Sequence, residues 1–187
     1  RHLKEIAVPI PPLPEQQRIV AILDEAFEGI ATAKANAEKN LQNARALFES
    51  HLHEVFTQRG EGWVEKSLDE ICNKITDGTH HSPKNQFTER ATGLFPYITS
   101  KNIRNNFMDL SNISYIEHDF HKEVYARCKP SLGDVLLTKD GASTGNVTLN
   151  TLDEPFSLLS SVCLIKTKVE LLKPSFLCYY LQSQVGL

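Results

Sequence analysis

Between Lys74 and Asn106, five cations (Lys74, Lys84, Arg90, Lys101 and Arg104) face only two acids, Asp77 and Glu89. His80 and His81 add neutral donors that become charged at lower pH. Asn73, Thr76, Thr79, Asn85, Gln86, Thr99, Ser100, Asn102, Asn105 and Asn106 are interleaved with them. This mixture suits duplex DNA: Lys and Arg for phosphates and guanine edges, Asn and Gln for adenine, Ser and Thr for either. Polar loops share the same composition, so a solvated face fits these residues as well.

Catalytic chemistry is poorly represented. No nucleophile elbow, phosphate loop or dinucleotide fingerprint is present. Gly141-Ala142-Ser143-Thr144-Gly145 has two glycines but lacks the lysine-serine pair of a phosphate loop. No acid is followed two residues later by lysine, so the common nuclease pair is missing. His51 and His53 lie two apart and face different ways on a helix. His118 and His121 share a helical face without a third ligand, and a surface pair is expected. Cys72, Cys128, Cys163 and Cys178 are scattered with no zinc spacing, as buried reduced thiols would be. An enzyme acting alone is not expected, and neither a metal nor a cofactor is called for.

These residues need elements to hold them. Residues 1–14 predict an edge strand at Ile6–Ile10 followed by a proline-rich turn. Pro14 and Glu15 suit a helix start. From Glu15 to Gln58 there is no proline, a single glycine (Gly29) and eight alanines, which favours one long helix. Its apolar residues, Ile19, Leu23, Phe27, Ile30, Ala37, Leu41, Ala44, Phe48 and Val55, recur in a three-four alternation close to a heptad. At 1.5 Å per residue this helix spans roughly 66 Å and needs a second helix along its side. Two shorter helices broken near Gly29 or Asn40 also fit the sequence.

Arg59-Gly60-Glu61-Gly62 ends the helix as a linker over 59–62. Residues 63–187 predict one α+β domain of mainly antiparallel character with few helices. Short β-like runs open at Trp63–Leu68 and continue at Phe95–Ile98 and Tyr115-Ile116. Asp134–Thr138 and Val162–Ile165 predict buried strands, and Pro174–Leu181 a helix that opens on proline. With 41% hydrophobic residues and a net charge of −3, the chain is not a general DNA-coating protein. A local basic face remains open, because phosphate contacts need only a few cations. Apolar runs fall far short of the ~18 residues that cross a bilayer, so a cytoplasmic protein without membrane contact is expected. Opening on Arg1 and stopping at Leu187, the sequence reads as a piece truncated at its C-terminus.

Five segments in order carry a family likeness: Pro11–Val20 entering the helix, Ile75–His80, Tyr97–Ile103, Gly133–Gly141 and Phe156–Ser161. As a set they resemble the specificity subunit of type I restriction–modification systems, over nearly the whole chain. The resemblance implies two target-recognition domains separated by long helices that pair as an antiparallel coiled coil. Each domain reads one half of a split DNA site. The helices carry modification subunits, which hold S-adenosylmethionine and methylate adenine, and restriction subunits join in the full complex. The present sequence holds one long helix and one recognition domain, with residues 1–14 as the tail of a preceding one.

By this resemblance Thr76, Asp77, Gly78, Thr79, His80 and His81, then Ser100, Lys101, Asn102 and Arg104, form the DNA face, followed by Lys139, Asp140 and Gly141. Chemistry alone assigns phosphate anchoring to Lys101, Arg104 and Lys84, and base-edge readout to Asn102 and His80. Asp77-Gly78 and Asp140-Gly141 fit plain turns equally well, and Ser160-Ser161 fits core packing. The competing class is a helix-pairing protein-interaction scaffold, which would not need the basic, amide-rich stretch. With its seam uncovered, the chain is expected to form a homodimer.

Overall fold

The computed structural model describes residues 3–186, in two compact units that divide between Phe48 and Glu49. Arg1, His2 and Leu187, which belong to the expected tail and truncated end, lie outside the described residues.

In the first unit Leu3–Glu5 make a single 3-10 turn and residues 6–12 adopt no regular structure. The edge strand expected at 6–10 is corrected. Pro9, Pro11 and Pro12 supply no N–H, and no described strand of this unit pairs with the segment. Helix α1, Leu13–Thr57, starts two residues before the expected Glu15. Pro12 sets the boundary: its carbonyl accepts the Glu15 and Gln16 N–H groups at 2.9 and 3.1 Å. Pro14 sits in the first turn, where its missing N–H costs nothing. The helix runs unbroken through Gly29 and Asn40. Ile19, Leu23, Phe27, Ile30, Ala37, Leu41, Ala44 and Phe48 are all exposed along it.

In the second unit the end of α1 is held by burial. Phe56 packs edge-on against Phe176 and Tyr180, at 5.4 and 5.3 Å between ring centroids. Both belong to α4, Pro174–Gln182, which opens on proline as the sequence predicts. Val55 stays exposed. Trp63–Ser67 form no strand but lead into a short helix, α2, Leu68–Ile71. Its Glu70 carboxylate accepts the Ser67 N–H at 2.8 Å, which a β-run would not allow.

Four strands form an antiparallel sheet in the order β1-β9-β6-β7: Cys72–Asp77, Val162–Thr167, Val135–Thr138 and Val147–Leu149. Alternate residues of β6 and β9 face two buried layers. Leu136, Val162 and Leu164 pack with Ile98, Ile103, Phe156 and Leu158. Val135 and Ile165 pack with Leu177, Cys178 and Leu181 of α4. Both faces being covered explains why these strands read as continuous apolar runs rather than alternating ones.

A second sheet, β5-β2-β8, joins Ser114–Glu117, Leu94–Ile98 and Ser157–Leu158, with β2 and β8 parallel. Helix α3, His118–Cys128, follows β5. A small hairpin, β3 (Ile103–Arg104) with β4 (Phe107–Met108), turns at Asn105-Asn106. Asn106 takes φ 71° there, a conformation Asn tolerates better than most residues.

Candidate nucleic-acid interface

The segment Leu158–Val162, between β8 and β9, organises the candidate site through its backbone. The Gly78 N–H donates to the Val162 carbonyl at 3.1 Å and the Thr79 N–H to the Leu158 carbonyl at 2.7 Å. The Ser160 N–H donates to the Thr79 carbonyl at 2.9 Å. On the other side Ser161 receives two loops. Its carbonyl accepts the Lys139 N–H at 2.9 Å, and its Oγ accepts the Ser100 N–H at 3.3 Å. Three segments far apart in sequence, 76–81, 99–102 and 139–144, therefore meet on one short connection. Ser143 Oγ closes the ring by donating to the Ser100 carbonyl at 3.4 Å.

Gly78 is required by this packing. A Cβ there would lie 2.2 Å from the Leu158 carbonyl oxygen, closer than any side chain tolerates. Thr79 is 5% exposed, and its Oγ1 accepts the His81 N–H at 3.0 Å. Both were expected on the DNA face; both lie inside the fold. Asn102 is corrected in the same way. It is fully buried, and its Oδ1 accepts the Thr99 N–H at 3.1 Å while its Nδ2 donates to the Asp109 carbonyl at 3.0 Å. The amide closes the 3-10 turn at 100–102, and its full burial keeps it from any base edge.

Asp77 is the electrostatic centre. Its carboxylate accepts Lys139 Nζ at 2.7 Å, a close contact from Arg127 Nη2, and His80 Nε2 at 2.9 Å. Lys139 foremost, then Arg127, hold its carboxyl well below the usual carboxylate range. The same contacts push the Lys139 and Arg127 pKa values upward. Arg127 comes from the last turn of α3, and spacing in the sequence gave no sign of it. Its Nε also donates to the Asp77 and Gly78 carbonyls at 3.0 and 3.1 Å.

The remaining candidates divide by exposure. His80, His81, Lys84, Lys101, Asp140 and Gly141 are exposed, while Thr76, Ser100 and Arg104 are half-buried. Lys101 Nζ donates to Ser114 Oγ at 2.9 Å, and Arg104 pairs with Asp109 at 3.4 Å. His81 lies 3.3 Å from Glu123. Gly141 takes φ 97°, which makes the Asp140-Gly141 turn a glycine requirement as well as a surface.

His118 and His121 are not a surface pair. His118 is exposed, whereas His121 is buried, stacked on Phe95 at 3.9 Å, with Nδ1 2.9 Å from Ser157 Oγ. Burial of α3 against β2 and β8 separates them. Desolvation, with His118 nearby, lowers the His121 pKa. The four cysteines are unpaired, and burial raises each thiol, Cys128 to about 11 and Cys178 to about 12. Among the described residues no group of three His, Cys, Asp or Glu is arranged to hold a metal, and no helix is long and apolar enough to cross a membrane.

Comparison with known proteins supplies the relationship. The profile of the type I restriction modification DNA specificity domain matches residues 1–42 and 60–185. No curated protein matches the sequence. One similar solved chain comes from work on complex assembly and conformational transition of the type I R-M system. It shares 21% identity at a TM-score of 0.58, over 93% of this chain and 42% of its own. Another is the HsdS subunit of Thermoanaerobacter tengcongensis, 18% identical at a TM-score of 0.52, over 96% of this chain and 45% of its own. The present chain thus spans less than half the length of either, and both share its fold. With the family profile covering most of its residues, the chain belongs to the type I restriction modification DNA specificity domain family.

Proposed function

We propose that residues 63–187 are a target-recognition domain that reads one half of a split site in double-stranded DNA. The single observation that carries this is the meeting of the 76–81, 99–102 and 139–144 segments on Leu158–Ser161. A scaffold has no need to gather Lys101, His80, Lys139 and Arg127 in this way. The domain works without catalysis of its own. Methylation and cleavage belong to modification and restriction subunits, with S-adenosylmethionine on the modification subunit. The exposed seam of α1 is the platform where those subunits and a pairing helix dock, or a second copy of this chain in their absence. The setting of such a complex is the cytoplasm.

Titration with random duplex DNA across a range of salt tests the reading. Each phosphate neutralised contributes about −0.9 to the slope of log affinity against log salt. A slope equivalent to several phosphates is expected. A flat slope would return the chain to the scaffold class.

A further inference from the structure

We infer that Asp77 is a positioning residue that holds Lys139 and Arg127 as a paired clamp for the phosphate backbone of duplex DNA, which makes Arg127 a DNA contact outside the recognition loops. The inference rests on the reading of this face as DNA-binding and adds to it a residue and a mechanism. Three features of the cluster lead there.

The first is geometry. The Asp77 side chain is 17% exposed, while those of Lys139 and Arg127 are 36% and 48% exposed. The acid therefore lies beneath and the cations reach outward. Arg127 is fixed by Nε and Nη2, and its Nη1 donates to no described residue. Lys139 Nζ has three protons and one close acceptor, with Asp140 a further 3.9 Å contact. Both cations keep donors free for a phosphate oxygen.

The second is charge. Lys74 Nζ donates to the Arg127 carbonyl at 2.5 Å and brings a third cation to the group. Against Lys74, Arg127 and Lys139 stand Asp77 and the exposed Asp140, a surplus of one positive charge before His80 is counted. An ion pair made for stability alone has no use for that surplus. The third is preorganisation. Long free cations lose rotamer entropy when they bind, and a carboxylate that already fixes two of them removes much of that loss.

The test uses duplex DNA and the full chain in its native assembly, with folding followed by circular dichroism. Arg127→Ala and Lys139→Ala are each expected to lower the salt slope by about one unit. Lys168→Ala, just past the far end of β9, should leave it unchanged. Asp77→Asn makes the face more positive, so a simple charge effect would tighten binding. Positioning predicts several-fold weaker binding instead, and no further loss when Asp77→Asn is added to the Arg127→Ala/Lys139→Ala double variant. Should Asp77→Asn unfold the domain, the two cation variants still decide the matter. Unchanged slopes in both, with salt-dependent binding by the parent protein, would overturn the clamp and leave the DNA reading standing. A parent protein without salt-dependent binding would overturn both.

Discussion

At the residue scale, the amides and imidazoles that look most suited to reading DNA divide into surface and scaffold. Asn102 is scaffold. Asn102→Ala strands the half-buried Thr99 N–H and Asp109 carbonyl, at a cost of up to about 1–3 kcal/mol each. Chemical denaturation should show that loss, and sequence preference should change only as far as the 99–102 loop is disturbed. His121 sets a pH dependence. Its pKa is depressed in the folded protein, so below about 6.5 the unfolded chain takes up the proton first and stability falls with pH. Asp77 does not contribute in this range, because a carboxylate held low keeps its stabilising contribution until far more acid conditions. Thermal unfolding at pH 7.5 and 5.5 should show a drop in the parent protein that is smaller in His121→Asn. Equal drops would place the titrating group elsewhere.

At the scale of elements, α1 is the unusual one. Leu23, Ile30 and the alanines 37 and 44 recur at heptad spacing, as do Phe27, Leu41, Phe48 and Val55, with Lys34 interrupting the second row. All are exposed. A lone helix in water is marginal, because its stability comes mostly from an apolar face packed on something else. A second copy is the available partner when no other subunit is present. Light scattering at micromolar concentration is expected to give a species of twice 21.0 kDa, and Leu23→Gln with Ile30→Gln should shift it toward monomer. Amide exchange over residues 15–48 should slow as concentration rises, while β6 and β9 stay protected throughout. A monomer at all concentrations would remove the homodimer from the proposal.

At the scale of the whole molecule, a net charge of −3 means that duplex DNA is not drawn in by the average field. Attraction has to come from a local surplus of cations. Such a surplus exists around Lys74, Arg127 and Lys139, with Lys101 on a neighbouring loop of the same hub. The salt slope is therefore expected to count a few phosphates rather than the ten or so of a strongly basic protein. Arg90 and Arg104 contribute little to that count, since each is matched by an acid of its own, Glu154 and Asp109, and leaves no surplus charge as the two cations sharing Asp77 do.

The long helix, the buried strands β6 and β9 and the proline-opened α4 were legible in the sequence, because periodicity, propensity and capping are local properties. So was the family, since five ordered segments carry it without any coordinate. The face itself was legible only in part. Residues 76–81, 99–102 and 139–144 could be named one by one, but chain composition does not tell an exposed amide from one spent on a turn, as Asn102 shows. Nor could it show that Asp77, at the end of a strand, holds Arg127 from a helix 50 residues further on. Contacts of that range are set by how β1, α3 and the Leu158–Val162 connection pack together. Burial is a property of the packed whole: it made Gly78 and Thr79 internal, separated His121 from His118, and left Lys139 and Arg127 at the surface around one carboxylate.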